Sequence, residues 1–350
     1  MASGSGMNVD NKEGRMIELR KDRLVFSFPD VHKRAELTID FQRTLRIPDD
    51  GQDYPLPAGL GPFPLRHVDD FADGVPDSWL EHGGVMLPMY QSEAMWLNFS
   101  GDYPVAVKVA AGKINAVSGE TWLDGLHRDP QDYVVASRQP WLDGYCIEKG
   151  VIRQFVAMPL GSGYSAEEQI TGEAEHGGLQ IVAYPMKPDA YRRWCEPQVM
   201  ERSNFLSRAL TEESQVLGSL DMGLAPGGRM RQEIYDDDFD MDVWDLRSGS
   251  RCFVHLANSL VWQAITGDSP PTAPLTSKSY AKAGIPWFDY YAEGQTAVPG
   301  SKALSQLKSV LQMGKQKGDV PLPENDSVKP GNVVPLRKGL RKRQVREGTF

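Results

Sequence analysis

Between Glu36 and Ile47 the apolar residues Leu37, Ile39, Phe41, Leu45 and Ile47 all fall on odd positions, with polar residues between them and only Arg43 in phase. A strand turns alternate side chains to opposite faces, so a period of two over this span requires a half-buried strand. It excludes a helix, whose apolar stripe repeats every 3.6 residues. Leu24, Phe26 and Phe28 alternate in the same way within Met16 to Phe28, a strand signal interrupted at Asp22 and Arg23.

Further strands follow the same logic. MLPMYQSEAMWLNF, then Val105, Val107 and Val109, then KINAV after Ala110, Ala111 and Gly112 read as hairpin-linked strands. In LDGYCIEKGVIRQFVAMP, Glu148, Lys149 and Gly150 separate two β-branched and aromatic runs, the glycine supplying the positive φ of a tight reversal. LQIVAYPM adds another strand. Helical signals are short: Ser165 with Glu168 forms a capping box opening AEEQI, while FVHLANSLVWQAI and KALSQLKSVL each read as one amphipathic helix. The longest helical region predicted is Asp189 to Val216, and Pro48 to Pro64 reads as a long loop, packed through its own Leu, Tyr and Phe residues or mobile.

The 34 glycines and 25 prolines suit many short elements joined by tight turns. The expected fold is therefore β-rich, all-β or α+β, with antiparallel hairpins forming a sandwich- or barrel-like core and a few short helices. One domain is expected over residues 15–312, with a disordered start at 1–14 whose MASGSG resembles an appended leader. Residues 313–350 read as a linker and basic tail.

Cys146, Cys195 and Cys252 are odd in number and include no CxxC, as in a reducing compartment, and no apolar run reaches bilayer-spanning length. A soluble cytoplasmic protein is expected. The net charge of −9 is uneven: the last 20 residues carry +5 and the other 330 carry −14. An acidic body repels phosphate backbones, so nucleic acid or anionic lipid would be met only through the tail, and a solvated end is the plainer reading of it.

Several groupings carry chemistry. Glu-His-Gly-Gly occurs twice, at Glu81–Gly84 and Glu175–Gly178, each time leading into an apolar strand. Brought together, His82 and His176 with their carboxylates suit zinc or non-haem iron. HExxH is absent, however, and in an extended chain adjacent Glu and His point to opposite faces, so a Gly-Gly turn rimmed by a polar pair is the plainer account. Glu167–His176 holds four acids and a histidine: His176 could serve as a general base oriented by Glu173 or Glu175, with Cys146 as nucleophile, the pattern of a hydrolase. Cys146 lies in an apolar strand, where a thiol commonly behaves as a small hydrophobe. Gly161-Ser162-Gly163 before a helix could hold an anion on backbone amides. The acid run Asp236–Asp242 fails the EF-hand test in either register and reads as a solvated turn able to dock the basic tail. Trp287, Phe288, Tyr290 and Tyr291 concentrate four aromatics in five residues, which either close the core or anchor a partner.

The stretches FQRTLRIPDDG, MLPMYQSEAMW, PWLDGYCIEKGVIRQFVAMPLGSGYSAEEQITGEAEHGGLQI and AGIPWFDYY resemble those of a widespread uncharacterised family of bacterial and fungal proteins. The resemblance spans Arg23 to Tyr291, implies one self-contained unit, and carries over no activity, ligand or functional residue. The function expected from the residues is thus a soluble binding or structural protein, self-associating into a homo-oligomer or meeting a protein partner through the aromatic segment. A hydrolase using His176 and a metal-binding protein using His82 and His176 are the alternatives. No cofactor is called for.

Overall fold

The computed structural model describes residues 16–195, 221–292, 294–319 and 327–337. Its core lies between two large sheets. The first runs in the order Met16–Leu19, Leu24–Ser27, Glu36–Thr44, Ala94–Ser100, Val151–Pro159, Met222–Arg231 and Asp53–Tyr54, with Gly59–Pro62, Trp141–Leu142 and Gly144–Glu148 attached alongside. The second runs Ile114–Asn115, Val105–Ala111, Leu179–Pro185, Ser250–Asn258, Val85–Met89 and Arg66–His67, with Val134–Val135 beside Val105–Ala111. A small third sheet joins Val333–Arg337, Trp287–Tyr291 and Leu56–Pro57.

The period-two pattern does what it predicts. Leu37, Ile39 and Phe41 on the first sheet face Val85, Leu87, Leu179, Ile181, Val254 and Leu256 on the second within one continuous apolar cluster. Full burial of such a side chain is worth about 1.5–3 kcal/mol, so this layer dominates folding. The opposite faces are covered by helices. Val156, Met158 and Ala225 lie under Val310 of helix Val310–Lys317, while Met86 and Ala257 lie under Trp79 and Trp262 of helices Asp77–His82 and Ser259–Thr266. That second covering builds the candidate site.

The fold is β-rich and sandwich-like as expected, with differences in detail. Among the described residues three strand pairs are parallel: Asp53–Tyr54 with Met222–Arg231, Val85–Met89 with Ser250–Asn258, and Trp287–Tyr291 with Val333–Arg337. Residues 85–111 are not a run of hairpins. Val85–Met89 and Val105–Ala111 belong to the second sheet and Ala94–Ser100 to the first, because alternation fixes which face is buried and not which sheet the strand joins. Only Val105–Ala111 with Ile114–Asn115, and the Gly150 turn with φ +78°, form the expected reversals.

FVHLANSLVWQAI is a strand to Asn258 and then a helix, and the Asn258 side chain caps the change by accepting from the Leu260 amide at 3.0 Å. KALSQLKSVL likewise breaks into Lys302–Ser305 and Val310–Lys317, since Ser309 and Gln312 form a capping box that starts a new helix. Order therefore continues past residue 312, through Lys317 and again at Val333–Arg337. The Pro48–Pro64 loop holds three short strands with Tyr54, Leu56 and Phe63 buried. Helix Pro188–Cys195 begins the long helical region. Its remainder, residues 1–14 and the tail beyond Arg337 lie outside the described residues.

The acid run is not a solvated turn throughout. Asp237 is fully buried and accepts hydrogen bonds from Tyr133 Oη at 2.7 Å and Trp244 Nε1 at 2.9 Å, while Asp238 pairs with Arg138. Two buried donors convert an acidic turn into a structural anchor. The capping box at Ser165 and Glu168 is present, and the Gly163 amide donates to Glu168 Oε1 at 2.6 Å. The chain's own carboxylate thus takes an amide offered to an anion.

Candidate functional site

The two Glu-His-Gly-Gly segments meet. On strand Ser250–Asn258, Val254 is in register with Val85 on one side and with Leu179 on the other, and these are the residues that follow each Gly-Gly. Both segments therefore arrive at the same level of the second sheet, flanking a single strand. A Cβ on Gly84, at φ +90°, would sit 2.2 Å from the Phe253 carbonyl oxygen, and one on Gly178, at φ +54°, 2.5 Å from that of Val254. Only glycine allows the chain to pass so close to those carbonyls in a left-handed conformation.

Glu81 and His82 close helix Asp77–His82 rather than lying in an extended chain, so the expected opposite-face geometry does not apply. His82 Nδ1 lies 2.7 Å from the Ser78 carbonyl oxygen. A carbonyl only accepts, so Nδ1 carries a proton, which in the neutral ring leaves the lone pair on Nε2. The His82 ring packs edge-on against Phe253 at 4.7 Å and against His176 at 5.5 Å between centroids. His176 Nε2 stands 3.7 Å from Glu175 Oε1, and the Glu175 carboxylate is itself paired with Lys113. That exposed pairing lowers the Glu175 pKa and raises that of Lys113.

A third imidazole lies behind them. His255 shares a strand face with Phe253, stacks on Trp79 at 4.7 Å, and donates from Nε2 to the Gly83 carbonyl at 3.0 Å. Burial pushes its pKa down to about 4, so the ring is neutral near pH 7. Trp79 Nε1 donates to Asp221 Oδ2 at 3.3 Å, and burial pushes the Asp221 carboxyl up to about 6. Glu167 is buried beneath Gly112 and Gly177. Its Oε2 accepts from the amides of His176 at 3.3 Å and Gly177 at 3.2 Å, its Oε1 has no hydrogen-bond partner among the described residues, and burial raises its pKa. The recess framed by Trp79, His82, His176, Gln180, Phe253 and His255 encloses about 20 Å³, room for one water-sized group.

Of the residues proposed for hydrolysis, only Glu175 stands beside His176. Glu173 is exposed, its amide bonded to Thr171 Oγ1 at 3.1 Å. Cys146 is enclosed at 1% exposure, burial pushes its thiol up to about 12, and it does not line the recess. His255, Trp79, Glu167 and Asp221 were not singled out from sequence. Reading FVHLAN as helix hid the register that brings His255 forward, and Glu167 looked like one more acid in a charged run.

The aromatic segment divides by face. Trp287 is 2% exposed, enclosed by Tyr54 and Tyr280 at 5.9 and 5.3 Å, so it closes the core and offers no surface to a partner. Phe288 and Tyr290 point the other way and are half-buried, with Tyr290 4.8 Å from Trp141 and Trp141 6.3 Å from Trp96. On the face that Trp287 shares, Asp289 pairs with Arg231 at 2.8 Å. The Tyr291 side chain lies outside the described set.

Among the described residues no helix is long and apolar enough to cross a membrane, and no three or more His, Cys, Asp and Glu are preassembled for a metal. Compared with protein-family models, curated proteins and solved structures, the chain matches none, so no relative bears on these residues.

Proposed function

We propose that this chain is a binding protein that self-associates through the half-buried aromatic strip of Trp96, Trp141, Phe288 and Tyr290. That strip carries the reading. Tryptophan and tyrosine offer large, rigid contact area with a polar handle and dominate the centres of protein interfaces. A two-fold interface needs a patch complementary to itself, which an apolar strip satisfies. The hydrolase reading has less behind it, since of the residues it invokes Glu175 lies beside His176 while Glu173 is exposed and the enclosed Cys146 is elsewhere.

Mass photometry and light scattering of the full chain test the proposal. A dimer is expected at micromolar concentration, with Trp141→Ala or Tyr290→Ala weakening association at least about tenfold, as for a central anchor worth more than ~1.4 kcal/mol. A strict monomer at those concentrations, or a dimer indifferent to both substitutions, sinks it.

A further inference from the structure

We propose that His82 and His176 form a binding site for a divalent d-block ion, Cu²⁺ above all, at the mouth of the recess, independently of self-association. Two imidazoles bound to one ion through metal–nitrogen bonds of roughly 2.0–2.1 Å stand with ring centres about 4.5 Å apart at the right angle of a tetragonal Cu²⁺ site and about 5 Å apart at a tetrahedral angle. The observed separation is 5.5 Å. Small side-chain rotations close the difference, because His82 is anchored through one nitrogen only and the His176 side chain is 31% exposed.

His82 has the surroundings of a metal ligand. A metal-bound histidine characteristically donates its other ring N–H to a carbonyl or carboxylate, which fixes the tautomer and aims the lone pair. His82 does this through Nδ1 to Ser78. The next carboxylate, Glu175, is 3.7 Å from His176 Nε2 and, among the described residues, is held by the surface cation Lys113, so it can turn to the ion while water fills the rest. Beneath, the Glu167 carboxylate accepts from the His176 and Gly177 amides, which fixes the backbone carrying His176. His255 is a positioning residue: its bond to the Gly83 carbonyl holds the peptide between His82 and Gly84.

With two imidazoles and one swinging carboxylate, the site is open and its ion exchangeable. Imidazole donors suit copper, nickel and zinc, and the general affinity order places Cu²⁺ first among them. Duplication of the tetrapeptide then has a reason beyond turn geometry: the register at Val254 brings one imidazole from each copy to the same place.

The test is a Cu²⁺ titration of the full chain in a non-coordinating buffer, followed by calorimetry and by electron paramagnetic resonance at one equivalent. A Cys195→Ser background removes the exposed thiol. The expected result is one ion per chain with splitting from two imidazole nitrogens. His176→Ala and His82→Ala should each weaken binding at least tenfold and leave one nitrogen, and the double variant should lose the event, while His67→Ala changes nothing. Because His82 packs on Phe253 and its variant could lose structure, His176→Ala and the unsubstituted spectrum decide on their own. Binding that survives the double variant, or a spectrum without two nitrogens, overturns the proposal.

Discussion

Replacing Gly84 with alanine should destabilise the protein by roughly 3 kcal/mol or more, a fall in Tm of about 5–10 °C for a domain of this size. The added Cβ would lie 2.2 Å from the Phe253 carbonyl oxygen and 3.1 Å from its nitrogen, and the φ of +90° adds strain of its own. Nothing flexible can yield, because the clash is with the backbone of a strand paired on both sides. Gly178→Ala should behave alike, with 2.5 Å to the Val254 carbonyl oxygen. The control is Gly172→Ala, which closes helix Ala166–Thr171 at φ +78° with no atom within 4 Å of the new Cβ, so only the left-handed backbone is penalised, by about 1 kcal/mol. Chemical denaturation distinguishes these cases. If Gly84→Ala costs no more than Gly172→Ala, the two histidine segments do not flank Ser250–Asn258 as described.

That contrast shows which parts of the site sequence can carry. The odd-position run from Leu37 to Ile47 was legible because strand geometry repeats every two residues and burial is needed on one face only. The capping box at Ser165 was legible because it is a local exchange of hydrogen bonds. Strand partners were not. Val85–Met89 and Ala94–Ser100 are neighbours in sequence and sit in opposite sheets, a choice made by packing between residues far apart in the chain. The meeting of His82 with His176 depends on that same information, through Val254 and its two partners. The tetrapeptides could be seen as duplicates, whereas their convergence required the sheet. His255 was concealed because FVHLANSLVWQAI has apolar residues at helical as well as strand spacing, and only the Asn258 cap marks where one becomes the other.

Asp143→Asn should alter stability in a strongly pH-dependent way. Asp143 is 3% exposed, accepts from Gln232 Nε2 at 2.9 Å through Oδ1, and donates from its own amide to Gln232 Oε1 at 3.1 Å. Burial pushes its carboxyl from the ordinary 3.8 up to about 7, with the Gln232 bond opposing. A carboxyl raised on folding stabilises the folded chain fully below the unfolded value, and that contribution is lost as pH rises from about 4 through about 7. Asparagine keeps the shape and does not titrate. Urea denaturation from pH 5 to pH 8 should therefore show the variant gaining about 2–3 kcal/mol on the parent, whatever its offset at any one pH. The parent's own profile does not isolate this, because Asp221, raised by burial to about 6, works in the same sense and His255 in the opposite one. Its pKa falls from 6.5 to about 4 on folding, so its contribution is present above 6.5 and lost as pH drops toward 4. Asp143 and His255 oppose each other over nearly the same window, and only substitution separates them. Parallel profiles for Asp143→Asn and the parent would mean that this carboxyl is not held in the interior as its contacts with Gln232 require.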